Sequence, residues 1–575
     1  YFPQCAGEPV VFLGETDVQI VEVDIKNFRG IKAFKQSFYN KKLVCLIGRG
    51  DSGKSTILDA IAYALSPSWN VPFNDNDFYT STPITIDISI MIPENFLPED
   101  KYGMYLRGWD KANNTISDDL KEEHERIITI RLEIADDLEP HWYVYKECQE
   151  ENKKDINNKD RAKFNCFMVS DYLEKHFTWG SGTPLYTISK GDMDLSEYNS
   201  QFIKPIRDAV DKINENDFSR LNKCFEDSIS SELISTANTK TKLEARDIHF
   251  SISKLSLHDE NGVPYRLKGK GSKRLLSTTI QLATSKEGAI TLIDEIEQGL
   301  EPDRTKKLVN LIKTTALEND SQIFITTHSN NVITELGAEN IFIIRRNNAD
   351  GTIIAKEVPM ELNGTVRTCA EAFFARKVIV CEGKTEVGIC RAIDNYLKAN
   401  NRHVMSYYGC IAIEGIGSSF AKHSHAIKNL GFETMAFCDS DRTCTPSKEE
   451  LKNIGVIICD CEENNSIETQ VFKDLPFDAI IDIVSFVIEE KYNSDESSFL
   501  SSAKAKNAEF PCAWKNNDTI VVRETITNIS KSSEWFKRID RGEELGNIIF
   551  KHFDKISDES CLKKQLHQIM RWIES

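Results

Sequence analysis

The chain has 575 residues, too many for a single hydrophobic core, so about three or four structural units are expected. Its composition is that of a globular protein, and no run approaches the roughly 18 apolar residues of a membrane helix, so no membrane partner and a cytoplasmic location are expected. The net charge of -18 excludes a generic polyanion-binding surface, while a local basic groove with bound cations stays open.

Tyr1 to Pro9 lacks the charged-then-apolar plan of a signal peptide and reads as an incomplete end. Val21 to Ile25 alternates like a strand and is followed by Asn27-Phe28-Arg29-Gly30-Ile31. A second apolar run, Leu43 to Ile47, reads as a buried strand leading into Gly48, Arg49, Gly50, Asp51, Ser52, Gly53, Lys54, Ser55 and Thr56. That is G-x-x-x-x-G-K-S, a phosphate-binding loop between a strand and an apolar helix. Its glycines let backbone N–H groups turn toward phosphate oxygens, Lys54 reaches the β and γ phosphates, Ser55 suits Mg²⁺, and the helix dipole adds positive potential. ATP is the expected cofactor.

Downstream, Phe73 to Tyr79 reads as a polar turn, and Ile84 to Met91, Ile127 to Ile134 and Trp142 to Tyr145 read as strands of an antiparallel sheet beside the nucleotide core. Residues 97–126 read as loop and helix insertions between them. From 197 to 244 the spacing becomes helical, with Phe202, Ile206, Val210 and Ile213 on one face; this is either a core-facing helix or an insertion that pairs subunits.

Residues 268–276 combine Gly269, Gly271, Ser272 and basic residues ahead of an apolar helix. Ala289 to Ile293 then reads as a buried strand ending in Asp294-Glu295, where Asp294 suits the Mg²⁺ shell and Glu295 suits polarisation of a water. Ile323 to Thr327 ends in His328, placed to sense the γ-phosphate. These elements, in this order, resemble the ABC ATPase head of the repair-type branch, with Arg29 or Phe28 on the adenine side. The resemblance implies a head-to-head dimer in which Gly271-Ser272 of one chain meets the nucleotide of the other. The loop departs from Leu-Ser-Gly-Gly-Gln, and Asp77 stands in for the usual glutamine.

Lys377 to Cys381 is another buried strand, followed by Glu382-Gly383-Lys384-Thr385-Glu386, and Thr434 to Cys438 ends in Asp439-Ser440-Asp441. Acids at two parallel strand ends need cations to stay ionised, so Mg²⁺ or Mn²⁺ is expected. The pair resembles a Toprim domain, with the glycine turn Glu414 to Phe420 between its strands. Cys438, Cys444, Cys459 and Cys461 contain no C-x-x-C pair and are expected to be buried thiols rather than zinc ligands.

An ABC head followed by Toprim resembles the OLD (overcoming lysogenization defect) family of nucleases, which includes the nuclease subunit of Gabija-type phage defence. The fold class implied is α/β and multidomain: residues 1–195 and 246–370 form the two parts of the ATPase head, 196–245 a helical insertion suited to dimerisation, and 371–575 a Toprim domain with a C-terminal helical region. By the same resemblance Glu382 and Glu386 bind one metal, Asp439 and Asp441 hold or bridge metals, and Glu468 completes the second. Lys537 faces the scissile phosphate, with Arg538 and Lys551 as alternatives; Glu382 serves as ligand or as general base or acid. The implied function is two-metal cleavage of DNA by a homodimer or higher homo-oligomer in antiviral defence, gated by the ATPase. Relatives act alone or beside a helicase or reverse transcriptase. The alternative is a nucleotide-switched scaffold or sensor whose acidic cluster is structural.

Overall fold

The computed structural model describes residues 18–80, 83–169, 205, 257–284, 289–318, 321–347 and 350–575. The helical insertion expected at 196–245 therefore lies outside the described residues, apart from residue 205.

The strand Leu43–Ile47 is fully buried and occupies the middle of a parallel array. Gln322–Thr326 pairs with it on one side and Ile341–Arg346 on the other, both parallel. Ile290–Ile293 and Cys166–Val169 continue the array beyond Gln322–Thr326. Such strands are covered on both faces, which is why they read as unbroken apolar runs. Beyond Ile341–Arg346 the sheet turns to mixed and then antiparallel pairing through Thr352–Glu357, Ile31–Ser37, Gln19–Phe28, Ile84–Met91 and Glu125–Ile134. The antiparallel sheet is thus a continuation of the nucleotide core.

The expectation of loop and helix at 97–126 is corrected in part. A short helix, Glu99–Tyr102, is present, but Arg107–Asp110 and Thr115–Ser117 form a hairpin that extends the sheet edge from Glu125–Ile134. Trp109 supplies the apolar anchor, fully buried and 5.5 Å from the Tyr39 ring, and the Asp110 carboxylate accepts from the Ala112 and Asn113 N–H groups in the turn. A single buried Trp in a polar stretch is too sparse a signal for periodicity to detect.

A second sheet holds four parallel strands in the order Cys410–Glu414, Lys377–Cys381, Glu433–Cys438, Ile457–Asp460. Side chains alternate across a strand, and in Lys377–Cys381 both faces are used. Val378 and Val380 join a cluster with Ile325, Ile341 and Ile343 of the first sheet, whereas Ile379 and Cys381 join one with Trp514, Trp535 and Leu566 of the C-terminal helical region. One strand therefore welds the ATPase core to the C-terminal helical region. Cys438, Cys459 and Cys461 are buried free thiols, and Cys444 is half-buried.

Candidate functional sites

At the first site the loop 48–53 is shaped by backbone constraints. Gly48 has φ 154° and a Cβ there would lie 2.5 Å from the Ile344 carbonyl oxygen; Gly53 has φ 98°. Both positions demand glycine. Gly50 and Asp51 are at the exposed crest, and Gly50 borders open space where an anion can approach the backbone. Lys54, Ser55 and Thr56 open the helix Lys54–Ala64. The Lys54 ammonium is folded onto the loop, donating to the Gly48 and Arg49 carbonyls at 3.1 and 2.9 Å and to Ser52 Oγ at 3.4 Å. Burial lowers its pKa, with Asp294 and Glu295 pulling the other way.

Parallel pairing of Ile290–Ile293 and Gln322–Thr326 places the acids beside this loop. Ser55 Oγ donates to Asp294 Oδ1 at 2.8 Å, and the Thr326 hydroxyl donates to the same oxygen at 2.6 Å. Thr326 Oγ1 also accepts the Glu295 N–H at 2.8 Å. Glu295 sits at φ 46°, a left-handed conformation that costs a non-glycine residue about 1–2 kcal/mol. Its backbone is held there by Thr326. Glu297 accepts from Thr327 Oγ1 and from the His328 N–H, both at 2.6 Å, so the His328 loop is pinned to the acidic loop. The His328 ring is exposed and stacks on Phe374, centroids 6.1 Å apart, immediately before the second sheet begins.

Three expectations are adjusted. Gly271 and Ser272 lie in the first turn of the helix Lys270–Thr284 rather than in a loop, because Gly271 packs onto the turn after the acidic strand: a Cβ would fall 2.0 Å from the Gly299 carbonyl oxygen. Phe28 is fully buried, which removes it from the adenine side. Arg29 is engaged by Asp77 at 2.8 Å and by Asp59, so Asp77 serves a structural ion pair and caps the turn Asp75–Asp77.

At the second site, register puts the acids together. Cys381 pairs with both Glu414 and Phe437, and Cys438 pairs with Asp460, so Glu382 and Asp439 leave adjacent strands at the same edge. Glu382 Oε2 accepts the Asp439 N–H at 2.9 Å. Glu386, in the first turn of Lys384–Ala399, accepts the Gly383 N–H at 2.9 Å and is buried. Asp439 Oδ1 accepts the Ile467 N–H at 2.7 Å, which brings Glu468, in the helix Ile467–Asp474, onto the cluster. Asp441 is exposed on the loop, within electrostatic reach of Glu382 and Asp439. The glycine turn closes over the Glu382 backbone, with the Gly417 N–H donating to the Glu382 carbonyl at 2.8 Å.

Lys537 Nζ lies 3.5 Å from Glu468 Oε1, whereas Arg538 pairs with Asp540 and Lys551 with Asp482. Of the three basic residues, the structure places Lys537 beside the carboxylates. It arrives there because Thr385 Oγ1 donates to the Phe536 carbonyl at 3.0 Å and Lys384–Ala399 packs intimately on Ile539–Lys551 through Gly388, Gly542 and Gly546. A Cβ on Gly542 would stand 2.8 Å from the Thr385 carbonyl oxygen. Gly542→Val is expected to destabilise the domain by about 1–3 kcal/mol and to move Lys537 off the cluster; a lowered unfolding midpoint together with weakened cleavage would check this.

Electrostatics mark this cluster as under tension. Burial, then the Asp439 and Glu468 charges, push Glu386 up to about 8. Burial, Glu382 and Glu468 push Asp439 up to about 7. Burial also raises Glu382. Burial opposes the charge on Lys537, but Glu468, Glu386 and Asp439 outweigh it and raise its pKa. One lysine cannot neutralise this many carboxylates, and an all-oxygen set of this kind fits hard divalent cations. No three of these acids offer oxygens within 4.8 Å of one another; among the described residues that spacing occurs at the exposed Asp137, Glu139 and His141.

Residues that sequence reasoning missed are those that brace others. Lys448 donates to the Asp439 carbonyl at 2.8 Å, Ser440 Oγ at 3.0 Å and Asp460 Oδ2 at 2.9 Å, fixing the Asp-x-Asp loop. Thr326 and Glu297 do the same at the first site. A strand-end threonine and a lone lysine carry no spacing signal.

Fold and sites together define a P-loop ATPase head joined to a Toprim domain. A family model described as "AAA domain, putative AbiEii toxin, Type IV TA system" matches residues 43–334, and one described as "Overcoming lysogenization defect protein-like, TOPRIM domain" matches residues 373–441. The chain belongs to that AAA family and, with its OLD-like Toprim domain, to the OLD-type ATPase–Toprim proteins. This pairing supports an ATP-dependent nuclease of the OLD type. No curated protein matches the chain. Among solved structures, the Smc head bound to the C-winged helix domain of ScpA is 16% identical, covering 59% of this chain and 98% of that one, with a TM-score of 0.34. The Thermotoga maritima SMC head domain is 15% identical over 59% and 99%, with a TM-score of 0.27. Among the described residues no helix is long and apolar enough to cross a membrane.

Proposed function

We propose that the protein is an ATP-gated, divalent-metal-dependent DNA endonuclease that acts as a homodimer or higher homo-oligomer in antiviral defence. The observation that carries this reading is the convergence of Glu382, Glu386, Asp439 and Glu468 at one edge of the parallel sheet, with Lys537 against them.

Glu382, Glu386, Asp439, Asp441 and Glu468 would hold Mg²⁺ or Mn²⁺ at the Toprim site, and Ser55 and Asp294 would hold Mg²⁺ at the nucleotide site. Bound there, the ions supply Lewis-acid activation of water and offset charge on phosphate oxygens. Lys537 adds a fixed positive charge for the phosphate under attack. Glu382, held by the Asp439 N–H and with its pKa raised, exchanges a proton with water as general base or acid. At the head, the loop 48–56 cradles ATP, Glu295 polarises water, His328 senses the γ-phosphate, and Gly271 and Ser272 of the partner chain complete the nucleotide site across a dimer. A helicase or reverse transcriptase acting alongside belongs to the same reading.

Conversion of supercoiled plasmid to nicked or linear DNA tests it. Wild type is expected to cut with Mg²⁺ or Mn²⁺ and to stop in EDTA, and Lys54→Ala is expected to lose the response of cutting to ATP. No cutting under any metal or nucleotide condition, with no metal bound, would leave the scaffold reading. Glu295→Gln is expected to retain nucleotide and to slow ATP hydrolysis by about 100-fold, read as phosphate release.

A further inference from the structure

A cavity of about 230 Å³ on the seam between the two sheets shares only Arg49 with the sites proposed above. Arg49 of the phosphate-binding loop lines one side; Arg376, Lys377, Tyr407, Tyr408 and Gly409 line the other. Lys377 begins the strand whose far end leads to Glu382, so the cavity lies at the opposite edge of the Toprim sheet from the acidic cluster.

The seam carries an excess of positive charge. Arg49 makes no ion pair among the described residues. Arg345, whose guanidinium lies 3.9 Å over the Phe432 ring, is within electrostatic reach of Arg49, and its buried Nε has no hydrogen-bond partner. Glu433 faces this group, 3.0 Å from Arg376 and 3.9 Å from Lys377, and Ser575 also lines the cavity. Lys377 is otherwise occupied, donating to the Trp572 carbonyl at 2.8 Å and to Ser575 Oγ at 3.0 Å. Arg49, and the terminal nitrogens of Arg376, which gives only its Nε to Glu433, therefore remain to receive an anion. Beside them Tyr407 is 66% exposed, its ring stacked on His403 at 3.9 Å, which forms a rigid aromatic platform at the lip. Guanidinium groups that bind phosphate beside an exposed aromatic face are the elements from which nucleotide-unit recognition is built.

We propose that this cavity is a second nucleotide-unit site, holding a phosphate between Arg49 and Arg376 and a base against Tyr407. The ligand chemistry is a phosphomonoester carrying an aromatic base, supplied either by a free nucleotide or by the phosphorylated end of a single strand.

The test uses the full chain with Lys54→Ala, so that the phosphate-binding loop contributes little, and two probes: AMP and a 5′-phosphorylated oligothymidylate with its 5′-hydroxyl counterpart. Binding is followed by equilibrium dialysis and by anisotropy. One equivalent of AMP per chain is expected, weakened at least about 10-fold by Arg376→Ala and by Tyr407→Ala. Preference for the phosphorylated strand, lost in the same two variants, would identify a strand end as the source; AMP binding without that preference would identify a free nucleotide. Both side chains are more than half exposed, so the variants are expected to keep the parent's unfolding midpoint. No binding of either probe to the Lys54→Ala chain, or binding that neither second substitution alters, would overturn the proposal.

Discussion

Asp439→Asn is expected to reduce DNA cleavage at least about 1,000-fold while leaving the chain folded. The side chain keeps its shape, and an amide oxygen can still accept the Ile467 N–H that Asp439 accepts at 2.7 Å. What is lost is a negative charge at the centre of the cluster, between Glu382, Glu386 and Glu468. Affinity for divalent cations therefore falls along with cutting. Nucleotide binding at the head is expected to be unchanged, because Asp294 and Ser55 lie on the other sheet. The same substitution relieves like-charge repulsion, so the metal-free variant is expected to unfold at a higher temperature than wild type near pH 8. Plasmid cleavage and melting of the same preparation read both effects. A variant that cut like wild type would refute the role of Asp439 in cleavage, and one that lost cutting with a collapsed melting transition would show Asp439 to be needed for folding.

What could be read from the sequence is what lies in contiguous motifs. The phosphate-binding loop declares itself because Gly48, Gly53, Lys54 and Ser55 must follow one another to surround an anion. Asp294 and Glu382 were legible because each ends an apolar strand, and strand ends are where parallel sheets gather side chains. Lys448, Thr326 and Glu297 were not, since each acts through a contact set by topology: Lys448 reaches Asp439 and Asp460 because two strands pair, Glu433–Cys438 and Ile457–Asp460. The hairpin around Trp109 escaped for a related reason, its strands being too short to show alternation. The welding role of Lys377–Cys381 was likewise invisible, because an unbroken apolar run does not say which partner each face meets.

Removal of divalent metal is expected to make the protein progressively less stable as pH rises from about 6 to 8.5, and addition of Mg²⁺ or Mn²⁺ to flatten that profile. The sign follows from Glu386 and Asp439. Their pKa values are raised from 4.5 to about 8 and from 3.8 to about 7, so the folded metal-free chain binds protons more tightly than the unfolded one. The stability these groups contribute is complete below about pH 4 and is lost as pH climbs through 7 and 8, where each must ionise among other carboxylates. The magnitude is of the order of a few kcal/mol. Lys537 resists the loss, since it stays protonated across this window and sits 3.5 Å from Glu468. A bound cation reverses the preference: it favours the ionised carboxylates, releases their protons and stabilises the fold in proportion to its concentration over its dissociation constant. Unfolding midpoints in EDTA and in Mg²⁺ should therefore converge at low pH and separate toward pH 8.5, with Glu386→Gln and Asp439→Asn each narrowing the gap. Parallel EDTA and Mg²⁺ profiles in wild type would mean that the cluster holds no ion, and that its strain serves the fold alone.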